Sequence, residues 1–254
     1  MMPPRTNERE KTYGEHLKEL DYDVVNSSKQ GVIVSQVYRY LEDEVIRDFP
    51  DFVVIHFGII ECAIRTRPQW LQRFFSENNW NNNIVNNSFD KQYTRYIKIV
   101  LRKFYYSFIE RPLYRLGVSY RWMRPKTFEF ILIDIIKKLF RDTPVKKIII
   151  VGINPISKSL EKRLPKTSKS VKDFNNIMKD LSHYKNISFI DTSKMAQNCY
   201  SPDSIHFSAE GHRHLALLIK DELNGERVDY LGWKEIEQKT RLNWLKKLFR
   251  RKSY

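Results

Sequence analysis

With 254 residues, 41% of them hydrophobic and 13% aromatic, the chain is long and apolar enough to bury a full core, which excludes a disordered protein. No apolar run reaches the roughly 20 residues of a membrane-spanning helix, and the start, Met1-Met2-Pro3-Pro4-Arg5, has no apolar signal-peptide core. The net charge of +15 sits in two segments: 13 Lys and Arg against three acids from Arg65 to Lys126, and seven bases without an acid from Lys239 to Tyr254.

Thr12 to Leu20 reads as a short helix and Asp23-Val24-Val25-Asn26 as a short strand, followed by a loop from Ser27 to Gly31. Val34, Val37, Tyr38, Leu41 and Val45 share one face, so 32–47 is expected to be helical. Asp51 to Gly58 is a continuous apolar run, as in a strand buried on both faces, and residues 146–152 repeat the pattern before Asn154-Pro155. Between them, residues 66–145 form a basic, aromatic, helical insertion, with apolar helical spacing over Tyr93–Phe108 and Thr127–Phe140 and an Asn-rich loop from Asn79 to Asn87. A helix from Val171 to Tyr184, a strand from Ile187 to Asp191 and an amphipathic run from His214 to Leu223, with Ser208 as its N-cap, complete the series.

Strands alternating with helices predict an α/β fold with a mostly parallel sheet, laid out as one domain over 1–238 and a basic amphipathic tail over 239–254. Sites in such sheets gather beyond the carboxyl ends of the strands. Gly31, Gly58, Asn154 and the 201–206 loop all fall there. Within that loop Asp203 and His206 stand three apart, after Pro202, which disfavours helix before it. A histidine so placed can act as a general base while the acid fixes its tautomer and stabilises the imidazolium. A bare Asp-x-x-His is also common among ordinary loop residues, so the pair carries weight only with its surroundings.

Those surroundings resemble the SGNH (GDSL-like) hydrolases. Asp203-Ser204-Ile205-His206 with Ser208-Ala209-Glu210-Gly211-His212 looks like that family's last block, which supplies acid and base. Val25-Asn26 with Gly31 resembles its second block, whose glycine N–H serves the oxyanion, and Gly58-Ile59-Ile60-Glu61 stands at the place of its third. The run from Gly58 to Arg65 is also similar to a subgroup found in bacterial surface-polysaccharide gene clusters. The resemblance covers about 12–65 and 146–224. It implies a flavodoxin-like, three-layer fold and a serine esterase or acyl-transfer enzyme acting on an acylated carbohydrate, with catalytic His206 and Asp203, oxyanion donor Gly31, and Gly58, Glu61 and Asn154 lining the site. It implies no metal and no organic cofactor.

Two departures accompany it. The third-block asparagine is not at its expected place, and the nearest polar side chain is Glu61; an ionised carboxylate accepts hydrogen bonds only and would repel an oxyanion, so a structural Glu61 or a hole of backbone donors only is the alternative. The nucleophilic serine that the family carries roughly a dozen residues before a segment like Tyr13-Gly14-Glu15 is not found, since residues 1–12 contain neither a serine nor a strand-like run. The expectation is therefore a chain begun at an internal methionine, with the first strand of the sheet missing. Ser27, Ser28 and Ser35 read as loop and helix serines, not as substitutes.

Of the remaining features, His56 reads as a core histidine bonded to backbone, Cys62 as a buried inert thiol, and His212 and His214 as helix-surface residues. Two cysteines are too few for a disulfide framework and point to a reducing, cytoplasmic setting. The tail places Leu242, Leu245, Leu248 and Phe249 on one face amid basic residues, a pattern that fits an anionic membrane surface as well as a solvated basic end. Two other classes stay open: a non-catalytic relative binding a glycan or membrane, and a nucleic-acid-binding protein, for which only the pI of about 9.7 speaks.

Overall fold

The computed structural model describes residues 11–29, 32–65, 108, 112, 113, 116, 120–202 and 205–225. The expectations for Gly31, Asp203, most of the insertion and the whole tail lie outside these residues.

Among the described residues three parallel strands form the main sheet: β1 (Phe52–Ile55), β4 (Lys147–Val151) and β5 (Ile187–Ile190), in the order β1-β4-β5. Phe52 pairs with Lys147 and Ile55 with Ile150 on one side of β4, and Ile148 pairs with Ile187 and Val151 with Ile190 on the other. A small antiparallel pair, β2 (Ile64–Arg65) with β3 (Tyr120–Arg121), stands apart from it. Parallel neighbours need long crossovers. Here they carry α4 (Pro125–Asp142) between β1 and β4, then α5 (Lys158–Arg163) and α6 (Thr167–Leu181) between β4 and β5.

Every residue of β4 is buried, as a central strand covered on both faces requires. Its alternation divides the core into two layers. Ile148 and Ile150 pack with α4, α6 and α2 (Val34–Glu44), through Phe128, Leu132, Phe174, Met178 and Leu41. Ile149 and Val151 pack on the other side with α1 (Tyr13–Lys18) and α7 (Ala209–Asn224), through Leu17, Leu215 and Ile219. Each of these side chains, fully buried, contributes on the order of 1.5–3 kcal/mol over its exposed state. The result is a three-layer α/β sandwich.

The helix ends follow local chemistry. Thr12 caps α1 in a capping box with Glu15, Pro125 opens α4 at its first turn, and the Ser208 hydroxyl accepts from the Gly211 amide as the N-cap of α7. Among the described residues no helix is long and apolar enough to cross a membrane.

Three expectations are corrected. Residues 23–26 carry no strand: Val24 packs against the core while Val25 is 64% exposed, and no described strand lies alongside to complete a ladder. The apolar run 51–58 is a strand only to Ile55, and Phe52 is 39% exposed, because β1 is the outer strand of the described sheet. The helix expected to reach Arg47 ends at Glu44 and continues as a 3-10 turn over Ile46–Asp48, closed by Phe49 in the left-handed region.

Candidate active site

The carboxyl ends of the three strands deliver His56, Phe57 and Gly58 after β1, Gly152, Ile153 and Asn154 after β4, and Asp191 and Thr192 after β5. Gly58 has φ 121°, a conformation in which an L side chain is strained, and it opens the short helix α3 (Ile59–Cys62). A Cβ there would meet Ile153 Cδ1, the movable end of a side chain, at 2.7 Å, so it is the backbone conformation that calls for glycine.

The segment after β4 is held from three directions. Asn175 on α6 brackets Ile153: its Oδ1 accepts from the Ile153 amide at 2.8 Å and its Nδ2 donates to the Ile153 carbonyl at 2.9 Å. The Thr192 hydroxyl lies 3.2 Å from the same carbonyl. Asn154, 4% exposed, then reaches across with Nδ2 to the carbonyl of Ile205 at 3.0 Å.

Ile205 and His206 belong to a narrow loop. Its neck is a bridge between Tyr200 and Phe207, reinforced by the Ser201 amide donating to the His206 carbonyl at 2.9 Å and the Ser208 amide to the Cys199 carbonyl at 2.9 Å. The Tyr200 hydroxyl donates to the Thr192 carbonyl, which ties the neck to the end of β5. Burial pushes the Tyr200 phenol up to about 12, so it keeps its proton as a donor. His206 is half-buried at the mouth of this loop.

Below it lies a ring cluster that the sequence reading missed. Tyr13 stacks on His212 with centroids 6.0 Å apart and an interplanar angle of 27°. His56 meets Tyr13 at 6.0 Å and Phe207 at 5.6 Å, and Phe207 meets His212 edge-on at 5.7 Å. His212 is 8% exposed, and its Nδ1 is buried without a hydrogen-bond partner. Burial, seconded by neighbouring His16 and His206, pushes its imidazole down to about 4. His56 is lowered by the same cause, with His212 and His206 adding to it. Both rings are neutral near pH 7. Two expectations change accordingly: His212 is a buried residue of α7, not a surface one, because Gly211 brings the start of that helix against Cys199; and His56 stands one residue past β1, in this cluster, instead of inside the strand. His214 is exposed as expected, and Cys62 is fully buried.

Glu61 is fully buried, and its Oε1 accepts the Val34 amide at 2.6 Å. It satisfies an otherwise unpaired N–H in the first turn of α2, three residues beyond Gly31. The hydroxyls of Ser27 and Ser28 are spent locally, on the Glu44 carbonyl at 2.7 Å and on Asn26 Oδ1 at 2.6 Å. No group of three or more His, Cys, Asp or Glu able to hold a metal occurs among the described residues.

The described site therefore joins His206, Asn154, Gly58 and the ring cluster at one end of the sheet. No protein-family model and no curated protein matches the chain. Solved structures do match in fold. A variant of Axe2, an acetyl-xylooligosaccharide esterase from Geobacillus stearothermophilus, superposes with TM-score 0.51 at 17% identity, over 87% of this chain and 84% of that one. A second Axe2 variant gives 0.52 at 16% identity with the same coverage. LAE5, an α/β hydrolase enzyme from the metagenome of Lake Arreo, Spain, gives 0.51 at 14% over 85% and 83%. Further Axe2 forms are described as catalytic mutants lacking a serine, an aspartate or a histidine, the last two being three positions apart in that chain. The likeness shows the fold alone: these enzymes share the three-layer α/β arrangement described above.

Proposed function

We propose that this site performs ester hydrolysis or acyl transfer on an acylated carbohydrate, with His206 as general base. The observation that carries the reading is the placement of His206 on a pinned loop beyond the carboxyl ends of a sheet whose fold is shared with acetylxylan esterases. The Asp203-x-x-His206 spacing is also that of the aspartate and histidine replaced in the Axe2 catalytic mutants.

In this mechanism a serine hydroxyl attacks the ester carbonyl while His206 takes its proton. The tetrahedral intermediate collapses, the C–O bond to the sugar breaks, and His206 returns the proton to the leaving alkoxide. A water, or an acceptor hydroxyl in transfer, then releases the acyl group by the same two proton movements in reverse. Asp203 orients His206, and the Gly31 amide donates to the oxyanion. Gly58 lines the floor, and Asn154 lies beneath the loop that carries His206. Glu61 serves through Val34, by fixing the helix that follows Gly31. The role in surface-polysaccharide assembly, and docking of the 239–254 tail on anionic lipid, are the biological setting that this reading favours.

The test uses p-nitrophenyl acetate and a serine-directed fluorophosphonate, applied to this chain and to the chain joined to whatever its gene encodes upstream. Hydrolysis and labelling by either form, both lost on His206→Ala with the fold retained, is the expected result. Neither form reacting while both are folded would overturn the esterase reading and leave a carbohydrate-binding relative on a hydrolase fold.

A further inference from the structure

We propose that Asn154 is a positioning residue for His206, setting the height of the catalytic loop on the end of β4 through its bond to Ile205. The inference rests on the reading of His206 as base and extends it to a residue that does not touch substrate.

Three observations carry it. First, the loop from Ser201 to His206 is closed at its neck by bonds within its own two arms, the Tyr200–Phe207 bridge and the Ser201 amide to the His206 carbonyl. These fix its width, and the Tyr200 hydroxyl on the Thr192 carbonyl ties the neck to the end of β5. The Asn154 Nδ2 bond to Ile205 at 3.0 Å adds a tether from a different element, the end of β4, on the residue next to His206. The amide orientation is set by chemistry, because a carbonyl only accepts and Nδ2 is the donor.

Second, Asn154 is itself rigidly mounted. Ile153 before it is bracketed by Asn175 and held by Thr192, and its Cδ1 packs over Gly58. A tether is only as firm as its post, and this post is anchored to β5, α6 and β1 together.

Third, the amide is a poor choice for packing alone. Asn154 is 4% exposed and its Oδ1 is buried without a hydrogen-bond partner. An apolar residue of similar size would remove that desolvation cost. What it cannot do is donate to Ile205.

The test reads the loop and not turnover. In the unaltered protein, the Asn154 side-chain amide protons are followed by NMR; protection about tenfold or more above an exposed asparagine is expected. Hydrogen exchange is then measured in Asn154→Asp and Asn154→Leu. Peptides over 200–207 should exchange roughly five- to tenfold faster, with those over 147–151 unchanged. The His206 ring NMR signals should shift or broaden in both variants. Acidification that protonates the introduced aspartic acid restores an O–H donor and should recover protection in Asn154→Asp alone, a rescue that loss of packing would not give.

An unprotected Asn154 amide in the unaltered protein overturns the inference, whether or not the variants fold; so does an unchanged loop in a folded variant. The two readings fail separately. A protected amide without turnover in any form keeps the tether and removes the esterase, whereas turnover lost on His206→Ala beside an unprotected Asn154 amide does the reverse.

Discussion

The carboxyl of Glu61 and the backbone amide of Val34 meet at 2.6 Å inside the protein, joining the turn after β1 to the first residue of α2. The first turn of a helix has N–H groups without partners, and Ile33, at the N-cap, supplies no oxygen from its side chain. Gln36 covers the Ile33 amide at 3.0 Å, and Glu61 covers Val34. A buried carboxyl is tolerated here because it lies at the positive end of the helix.

Glu61→Ala is therefore expected to cost about 2–4 kcal/mol, since it leaves a buried N–H unpaired and opens a cavity. That corresponds to roughly 5–15 °C in Tm for a chain of this size. Glu61→Gln keeps an acceptor oxygen and should lose less than half as much. Thermal unfolding of the three proteins measures it. Equal melting of the alanine and glutamine variants would show that the bond to Val34 does not matter.

How far the sequence was legible depends on the range of the forces involved. Elements specified by their own neighbours were readable: the Ser208 cap, the buried run of β4 and the helix from Val171 all follow local patterns. The 23–26 strand was not, because two valines look the same whether or not a neighbouring strand exists to pair with them. His56 was misread for a related reason: apolar content cannot say at which residue a strand ends. Tyr13, His56, Phe207 and His212 come from four separate segments, and only tertiary packing gathers them. His206 and Asn154 were legible as strand-end residues, but the bond from Asn154 to Ile205 spans 51 positions and leaves no local trace.

Gly58 and Gly211 should respond to alanine for different reasons. At Gly58 the strain is in the backbone, at φ 121°, with the flexible Ile153 side chain beside it. Gly58→Ala is expected to cost about 1–3 kcal/mol. Gly211 lies in α7, where alanine normally gains about 1 kcal/mol over glycine. A Cβ at 211 would, however, stand 2.8 Å from the Cys199 carbonyl carbon, which is backbone and cannot swing aside. Gly211→Ala should thus destabilise, by about 2–4 kcal/mol, against the helix propensity scale. A stabilised Gly211→Ala in urea melts would contradict this packing of α7.

The ring cluster predicts loss of stability in mild acid. An unfolded histidine titrates near 6.5, while His212 in the folded protein titrates near 4. Between those values the unfolded chain binds more protons, so stability rises with pH through the window and falls on acidification from about 6.5 to about 4. Below pH 4 no further loss comes from this group. The shift at His212 corresponds to up to about 3 kcal/mol. His56 adds loss of the same sign, smaller than its shift would imply because its ring retains solvent contact. His212→Phe removes the titrating nitrogens and the unpartnered Nδ1 while keeping a ring for Tyr13 to stack on. Urea unfolding between pH 4 and 8 should show a flatter profile for this variant; an unchanged slope would place the acid sensitivity elsewhere.

Asn175 offers a way to loosen the site without touching it. Its amide makes two bonds to Ile153, yet the two are not equivalent. The Ile153 carbonyl retains the Thr192 hydroxyl at 3.2 Å if Asn175 is removed, whereas the Ile153 amide has no second acceptor among the described contacts. Asn175→Ala should therefore cost about 1–3 kcal/mol, chiefly for the stranded N–H. Asn175→Asp keeps the acceptor for that N–H but sets a carboxylate against the carbonyl, and should fall between alanine and the unaltered protein. Because Ile153 carries Asn154, both variants are expected to raise hydrogen exchange over 200–207 as well as over 152–154, in the same order as their loss of stability. Exchange confined to 152–154 would mean that the tether to Ile205 does not transmit movement of its post, and that the loop's tilt is held by its own neck.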